Sequence, residues 1–163
     1  TTPELAIRLS EAGAPLMLKT LRDLAGGSLS GRPQDSASAS IAPMLKREDG
    51  RIDWTQPAAT IYNRMRGFTP WPGAYTTFRG QLCHLTGRPV PNQTTTAPPG
   101  TLFTPNPDGS PAAALQPDNL AVACGAGNIF RLFSVKLEGR KQITAAEFAS
   151  GARIHPGERF TSS

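Results

Sequence analysis

The spacing of apolar positions changes along this chain, and the changes divide it. Leu5, Leu9 and Ala12 fall at helical spacing, and Leu16, Leu21 and Leu24 form a second helical stripe. Gly13 interrupts the first stripe and Pro15 sits where a new helix would begin, so residues 1–26 are predicted to form two short helices. Thr1 or Thr2 is placed to cap the first, with Pro3 and Glu4 in its opening turn. Gly26-Gly27 ends the second. Two short helices with this much leucine need a partner surface that so brief a segment cannot supply. Residues 27–43 are Gly, Ser, Ala and Pro with few large apolar side chains, which is linker composition. Carried through the charged turn Lys46–Arg51, the linker spans residues 27–56.

Pro57–Met65 reads as a helix, capped by Thr55, with Ile61, Met65 and Phe68 on its apolar side. Pro70 and Pro72 bracket Trp71 and push the backbone out of helical geometry. Phe68 and Trp71 are large enough to anchor this joint in a core. From Ala74 the period becomes two. Ala74–Phe78 and Leu82–Thr86 predict a hairpin around Gly80. Arg88–Pro99 reads as a polar Pro/Thr loop, Gly100–Thr104 as a third strand, and Pro105–Pro117 as a mobile excursion. Leu120–Cys124 and Asn128–Leu137 are two further strands joined at Gly125-Ala126-Gly127. In the last, Ile129, Phe133, Val135 and Leu137 share one face, which Arg131 interrupts. Thr144-Ala145-Ala146-Glu147 is a capping box opening a short helix that stops at Gly151. The prediction is a mainly β domain over residues 57–163 with flanking helices, a partly open antiparallel barrel of the oligonucleotide-binding (OB) kind.

Composition narrows the function without naming it. The 163 residues suit one domain plus an appended segment. The net charge of +5 is spread over both halves, nine Lys/Arg against seven Asp/Glu up to residue 72 and eight against five beyond it. That excess is compatible with nucleic acid but does not demand it. Cys83 and Cys124 sit in apolar runs without CxxC spacing, so two buried free thiols are expected, which favours a reducing, cytoplasmic setting. No apolar run approaches the length of a membrane span. The chain starts Thr1-Thr2-Pro3 with no methionine and reads as a piece of something longer. Catalytic candidates are scarce. His84 and His155 are the two histidines, and neither has a carboxylate or cysteine at a recognisable catalytic spacing. Glu48-Asp49 reads as a solvated turn, and Gly125-Ala126-Gly127 joins two strands and so offers no helix N-terminus to a phosphate. With no metal-ligand cluster and no phosphate loop, the chain on its own is expected to be inactive as a catalyst.

The ordered landmarks resemble one family. Ala42-Pro43-Met44-Leu45-Lys46-Arg47-Glu48-Asp49-Gly50-Arg51-Ile52-Asp53-Trp54 is similar to the interdomain segment of bacterial methionyl-tRNA formyltransferases. Arg64-Met65-Arg66-Gly67-Phe68-Thr69-Pro70-Trp71-Pro72-Gly73-Ala74-Tyr75 looks like the motif leading into their C-terminal domain. Pro99-Gly100-Thr101-Leu102, Leu137-Glu138-Gly139-Arg140-Lys141, Thr144–Phe148, Gly151-Ala152-Arg153 and Pro156–Phe160 continue the likeness in order. Gly67 stands where Ala is common and Ile143 where Met is common, and Pro105–Pro117 is longer than the usual connection.

The resemblance implies the C-terminal part of an enzyme that moves a formyl group from 10-formyltetrahydrofolate to the amino group of methionyl initiator tRNA. Residues 1–26 would be the last helices of its Rossmann-like catalytic domain, missing here and otherwise joined in cis. The family's His-x-Ser-Leu-Leu-Pro motif does not occur, so no residue of this chain is assigned to catalysis or to the folate. The barrel would help hold tRNA through Lys46, Arg47 and Arg51 in the connector and Arg79, Arg88, Arg131, Lys136, Arg140 and Lys141 on the barrel. Arg140-Lys141 is the favoured pair, being adjacent, basic and in a loop before a capped helix. The alternative is the equivalent architectural barrel of a formyltetrahydrofolate hydrolase or a sugar-nucleotide formyltransferase, which has no need of that basic set.

Overall fold

Alternation after Pro72 leaves each strand one face to bury, and the strands meet that demand in one antiparallel sheet. The computed structural model describes residues 1–161. It divides into residues 1–45 and the residues from Lys46 onward. The first unit holds a single helix, α1 (Thr2–Ala25), rather than the two expected, with Pro15 inside it. Proline lacks only its own N–H and its fixed φ is already helical, so the helix runs through at the loss of one hydrogen bond. None of its residues is buried. Leu5, Leu9, Leu16, Leu21 and Leu24 are exposed by 52–64%. Among the described residues no helix is long and apolar enough to cross a membrane.

The second unit contains α2 (Ala58–Gly67), β1 (Tyr75–Phe78), β2 (Gln81–Thr94), β3 (Leu102–Phe103), β4 (Ala121–Ala123), β5 (Asn128–Leu137), β6 (Ile143–Thr144) and α3 (Ala145–Gly151). The strands lie in the order β1-β2-β5-β4-β3, with β6 also on β5. The expected mainly β, barrel-like domain is present. Its two edges are bridged by the C-terminal segment, which pairs Thr161 with Thr77 near β1 and Arg159 with Thr101 near β3. That segment covers backbone that would otherwise lie open at both edges.

Three local devices differ from the sequence expectation. The β1–β2 hairpin turns at Arg79-Gly80, both with positive φ (47° and 77°), as a tight two-residue turn requires. β2 runs on through the expected Pro/Thr loop to Thr94 and pairs with β5 as far as Val90↔Ile129 before a register shift. Pro89 and Pro91 are tolerated because β1 pairs only with residues 81–84, leaving no second neighbour that needs their N–H groups. Finally, Thr86 pairs with Ser134 while Gly87 pairs with Leu132, so Phe133 is an extra residue in β5. This bulge reverses which side faces the core. Phe130, Leu132 and Val135 are therefore buried while Phe133 is 45% exposed, contrary to its expected place beside Val135. The Pro105–Pro117 excursion is not loose. Asn106 and Ser110 close a small hairpin, and Gly109 is buried so tightly that a Cβ there would lie 2.0 Å from the Thr94 carbonyl oxygen.

The core is organised on an indole, though not the expected one. Trp54 is 2% exposed, stacks on Phe160 with ring centres 5.6 Å apart, and meets Phe130 edge-on at 6.2 Å. Its Nε1–H donates to Thr76 Oγ1 (3.1 Å), whose hydroxyl donates to the Thr161 carbonyl (2.9 Å). Residues 46–56, read above as the end of the linker, thus carry Ile52 and Trp54 into the core. Thr55 does not cap α2, because its hydroxyl donates to Asp53 (2.6 Å). The Ala58 N–H instead donates to Asn128 Oδ1 at 3.2 Å. Trp71, expected as an anchor, is 56% exposed, and Pro72 rather than the indole is buried beneath that turn. α3 begins as expected, with Thr144 Oγ1 accepting from the Glu147 N–H at 3.1 Å and the Glu147 carboxylate accepting from the Thr144 N–H.

The two tryptophans should respond oppositely to truncation. Trp54→Ala is expected to cost about 3–5 kcal/mol in urea unfolding, whereas Trp71→Ala should stay within about 0.5 kcal/mol of the parent. Equal losses would contradict the assignment of Trp54 as the core indole.

Candidate nucleic-acid interface

The ladder between β2 and β5 carries Arg88, Arg131 and Lys136, and the other basic candidates lie on turns and segments outside it. At one end His84 lies opposite Lys136, and the Arg47 guanidinium is close enough to act on His84 electrostatically. Arg47 Nη2 is also 3.9 Å from Glu138 Oε1. Arg140 and Lys141 are exposed on the turn that leaves this end of β5, beside a shallow hollow lined by Leu137, Ile143, Phe148 and Ala152. Lys46 and Arg51 flank the 3₁₀ turn Arg47–Gly50 and are exposed. Further along the ladder Arg88 pairs in register with Arg131.

Not all of these cations are available to a ligand. Arg79 is bound along the edges of its guanidinium: Nε and Nη2 donate to the Glu158 carboxylate at 2.7–2.9 Å, and Nη1 donates to the Ala152 carbonyl at 2.9 Å. It also lies 4.8 Å from the Phe78 ring centre, so its role is to clamp the C-terminal segment to the hairpin. Arg131 is half-buried and donates to the Asn119 side chain, with its Nε sequestered from solvent. Arg88 lies over Phe133, 5.4 Å from the ring centre. Arg51 and Arg88 remain exposed, and Lys46, Arg47, Lys136, Arg140 and Lys141 form an exposed rim with Glu138 inside it.

A neutral, hydroxyl-lined patch adjoins this rim. Burial, reinforced by the Lys136 and Arg47 charges, holds His84 below its ordinary value of 6.5. It is therefore uncharged at neutral pH and adds a polar edge rather than a cation. Gln142 Nε2 donates to Ser134 Oγ (2.8 Å), and Ser134 and Thr86 share a hydrogen bond of 2.7 Å. The two cysteines offer no nucleophile, since burial pushes both thiols up to about 12. Among the described residues no group of His, Cys, Asp or Glu could hold a metal ion.

Sequence reasoning missed a cleft of about 400 Å³ between the 3₁₀ turn and α2. Asp49, Arg51, Asp53, Gln56 and Arg64 line it. Arg64 donates to the Asp49 carbonyl (2.8 Å) and lies 4.9 Å from the Phe68 ring centre, fixing the turn against the helix. Hydrogen bonds from Thr55 and Gln56 hold the Asp53 carboxyl below its usual range, so it stays charged. Asp49 and Asp53 face Arg51 and Arg64 across the cleft's lining, so it carries no excess of either charge. Arg64 and Arg66 in one helical turn were the signal, but nothing local told that Arg64 reaches back to residue 49.

Comparison with known proteins agrees on one family. Residues 44–153 match the formyl transferase C-terminal domain. A methionyl-tRNA formyltransferase of Solibacter usitatus is 46% identical over 96% of this chain and 46% of its own length. The enzyme of the same name from Heliobacterium modesticaldum is 40% identical over 98% of this chain and 50% of its own. That of Geobacter metallireducens is 42% identical over 94% and 45%. The chain thus spans about half the length of these curated relatives. A crystal structure of HypX from Aquifex aeolicus shares the fold at a TM-score of 0.50 and 17% identity, covering 87% of this chain and 23% of that one.

The His84 environment can be read out by NMR. The ring should titrate below 6.5, and Lys136→Met should raise the midpoint only in part, since burial is the larger cause. The sign for stability follows. A histidine whose folded value is lowered leaves the unfolded chain binding more protons, so stability is lost as pH falls from about 6.5 through the folded value. His84→Gln should flatten that region of the pH–stability curve; a midpoint above 6.5 would contradict the geometry.

Proposed function

The chain belongs to the formyl transferase C-terminal domain family, and on that premise we propose that it is the tRNA-holding part of a methionyl-tRNA formyltransferase. The whole protein would transfer a formyl group from 10-formyltetrahydrofolate to methionyl initiator tRNA in the cytoplasm. Its catalytic domain would lie N-terminal to the linker and supply the folate site. The apolar face of α1 would be part of that domain, which explains a 24-residue amphipathic helix with no buried residue.

The observation that carries the reading is the exposed rim of Lys46, Arg47, Lys136, Arg140 and Lys141, which is basic on balance although Glu48, Glu138 and Glu147 stand among them. Such a rim neutralises phosphates and gives orientation with little sequence information. Arg51 and Arg88 contribute weaker contacts, while Arg79 and Arg131 serve the fold. The architectural alternative gains nothing from the relatives, which bear the methionyl-tRNA formyltransferase name.

Titration of the chain with tRNA at two salt concentrations tests this. Binding of about micromolar strength or weaker is expected, falling steeply with salt. Arg140→Ala and Lys141→Ala should each lower the slope of log affinity against log salt by about 1, while Lys19→Ala on α1 should not. Affinity indifferent to salt and to both rim substitutions would favour the architectural barrel. The chain alone should also show no formylation of methionyl-tRNA when supplied with 10-formyltetrahydrofolate; turnover in a homogeneous preparation would refute the assignment of the chemistry to another domain.

A further inference from the structure

Trp71 is unlike every other aromatic side chain here. Trp54, Tyr75, Phe78, Phe103, Phe130, Phe148 and Phe160 are buried. Phe68, Tyr62 and Phe133 each lie under an arginine. Trp71 is 56% exposed and, among the described residues, makes no ring contact, meets no cation, and donates its indole N–H to nothing. The turn that carries it is held: the Gly73 N–H donates to the Phe68 carbonyl (2.9 Å), Thr69 Oγ1 donates to the Met65 carbonyl (2.8 Å), and Pro72 is buried. An indole on a fixed turn loses little freedom on binding.

Beside the same turn is a pocket of about 180 Å³, lined by Thr69, Pro70, His84, Ser134, Lys136 and Gln142 among others. No carboxylate lines it, and Lys136 makes no ion pair among the described residues. With His84 neutral, the pocket presents one positive charge, hydroxyl and amide groups, and the apolar side chains of Met65, Pro70, Ala74 and Leu85, a set that suits one phosphodiester with its sugar. It is smaller than the roughly 300–1,000 Å³ of small-molecule sites, so it suits a group resting at its mouth rather than an engulfed ligand. A protein interface core would be depleted of charge, whereas this pocket carries Lys136, which has no ion-pair partner among the described residues.

Resting on the tRNA-holding reading above, we infer that the Trp71 turn and this pocket form a subsite for one unpaired nucleotide, its base stacked on the indole and its phosphate facing Lys136. A paired base inside a duplex has both faces covered, so the partner must be an unstacked position such as a loop, bulge or end.

The tryptophan count supplies the test. There are two, one exposed and one 2% exposed, so emission changes on ligand addition can be assigned with Trp71→Phe. The full chain is titrated with a mixed-sequence single-stranded RNA about six nucleotides long, within the roughly 4–16 that an OB fold covers, and with an RNA duplex of equal length. Saturable quenching by the single strand, absent with the duplex and absent in Trp71→Phe, is expected. Trp71→Ala should weaken single-strand binding about 5–100-fold, with Trp71→Phe between it and the parent. Lys136→Ala should lower the salt slope by about 1. Urea unfolding of each variant separates lost binding from lost fold. If tRNA binding remains salt-dependent and sensitive to Arg140→Ala but Trp71→Ala binds as the parent does, the subsite is overturned and the RNA reading stands. If neither RNA nor tRNA binds, both fall. Emission that responds to dilution of the protein and not to RNA would make the indole a protein contact and overturn the proposal.

Discussion

One buried hydrogen-bonded stack holds this molecule in register. Trp54 enters from the segment before α2, Thr76 from the first strand, and Phe160 and Thr161 from the last residues described. A buried indole N–H left unpaired would cost about 1–3 kcal/mol, so it finds the Thr76 hydroxyl, and that hydroxyl in turn finds the Thr161 carbonyl. Three segments separated by 22 and 85 positions are thereby fixed together. The same contact draws the C-terminal segment across the gap between the two sheet edges.

The glycine at 125 shows how tightly that arrangement is packed. Its N–H donates to the carbonyls of Trp54 and Gln56 at 2.9 and 3.0 Å. A Cβ there would stand 1.7 Å from the Thr55 carbonyl oxygen. The strand joint at 125–127 is thus where the β4–β5 connection grips the Trp54 segment, and any side chain would push the two backbones apart. The same joint is followed by Asn128, whose side chain receives the first N–H of α2. The helix, the indole and the sheet are set by one short stretch.

The bulge at Phe133 decides what the outer surface carries. Beyond it Val135 turns into the core, and Ser134 and Lys136 turn outward beside Thr86 and His84. Were Phe133 paired in regular register instead of bulged, the alternation from Phe130 and Leu132 would carry Lys136 to the apolar interior. The place of Lys136 in the exposed rim, and of Ser134 and Lys136 in the pocket beside the Trp71 turn, depends on this one-residue offset. Arg79 shows the converse: its position in a tight hairpin turn reads as exposed, yet Glu158 and the Ala152 carbonyl claim its guanidinium.

Local pattern determined the element types, the β1–β2 hairpin, the capped α3, the two buried thiols and the family, because each rests on neighbours in sequence or on an ordered set of motifs. It also determined that basic residues would stand near the end of β5. Tertiary structure alone decided that α1 is continuous, that β2 extends past two prolines, that Phe133 and not Val135 faces out, and that Trp54 rather than Trp71 is the core indole. It likewise tied Arg79 to Glu158 and Arg131 to Asn119 while leaving Arg140 and Lys141 exposed. The reason is common to all of these: which side chain is covered depends on what another segment brings to it, and Asn128, Thr161 and Glu158 are too distant in sequence to leave a trace in any local pattern.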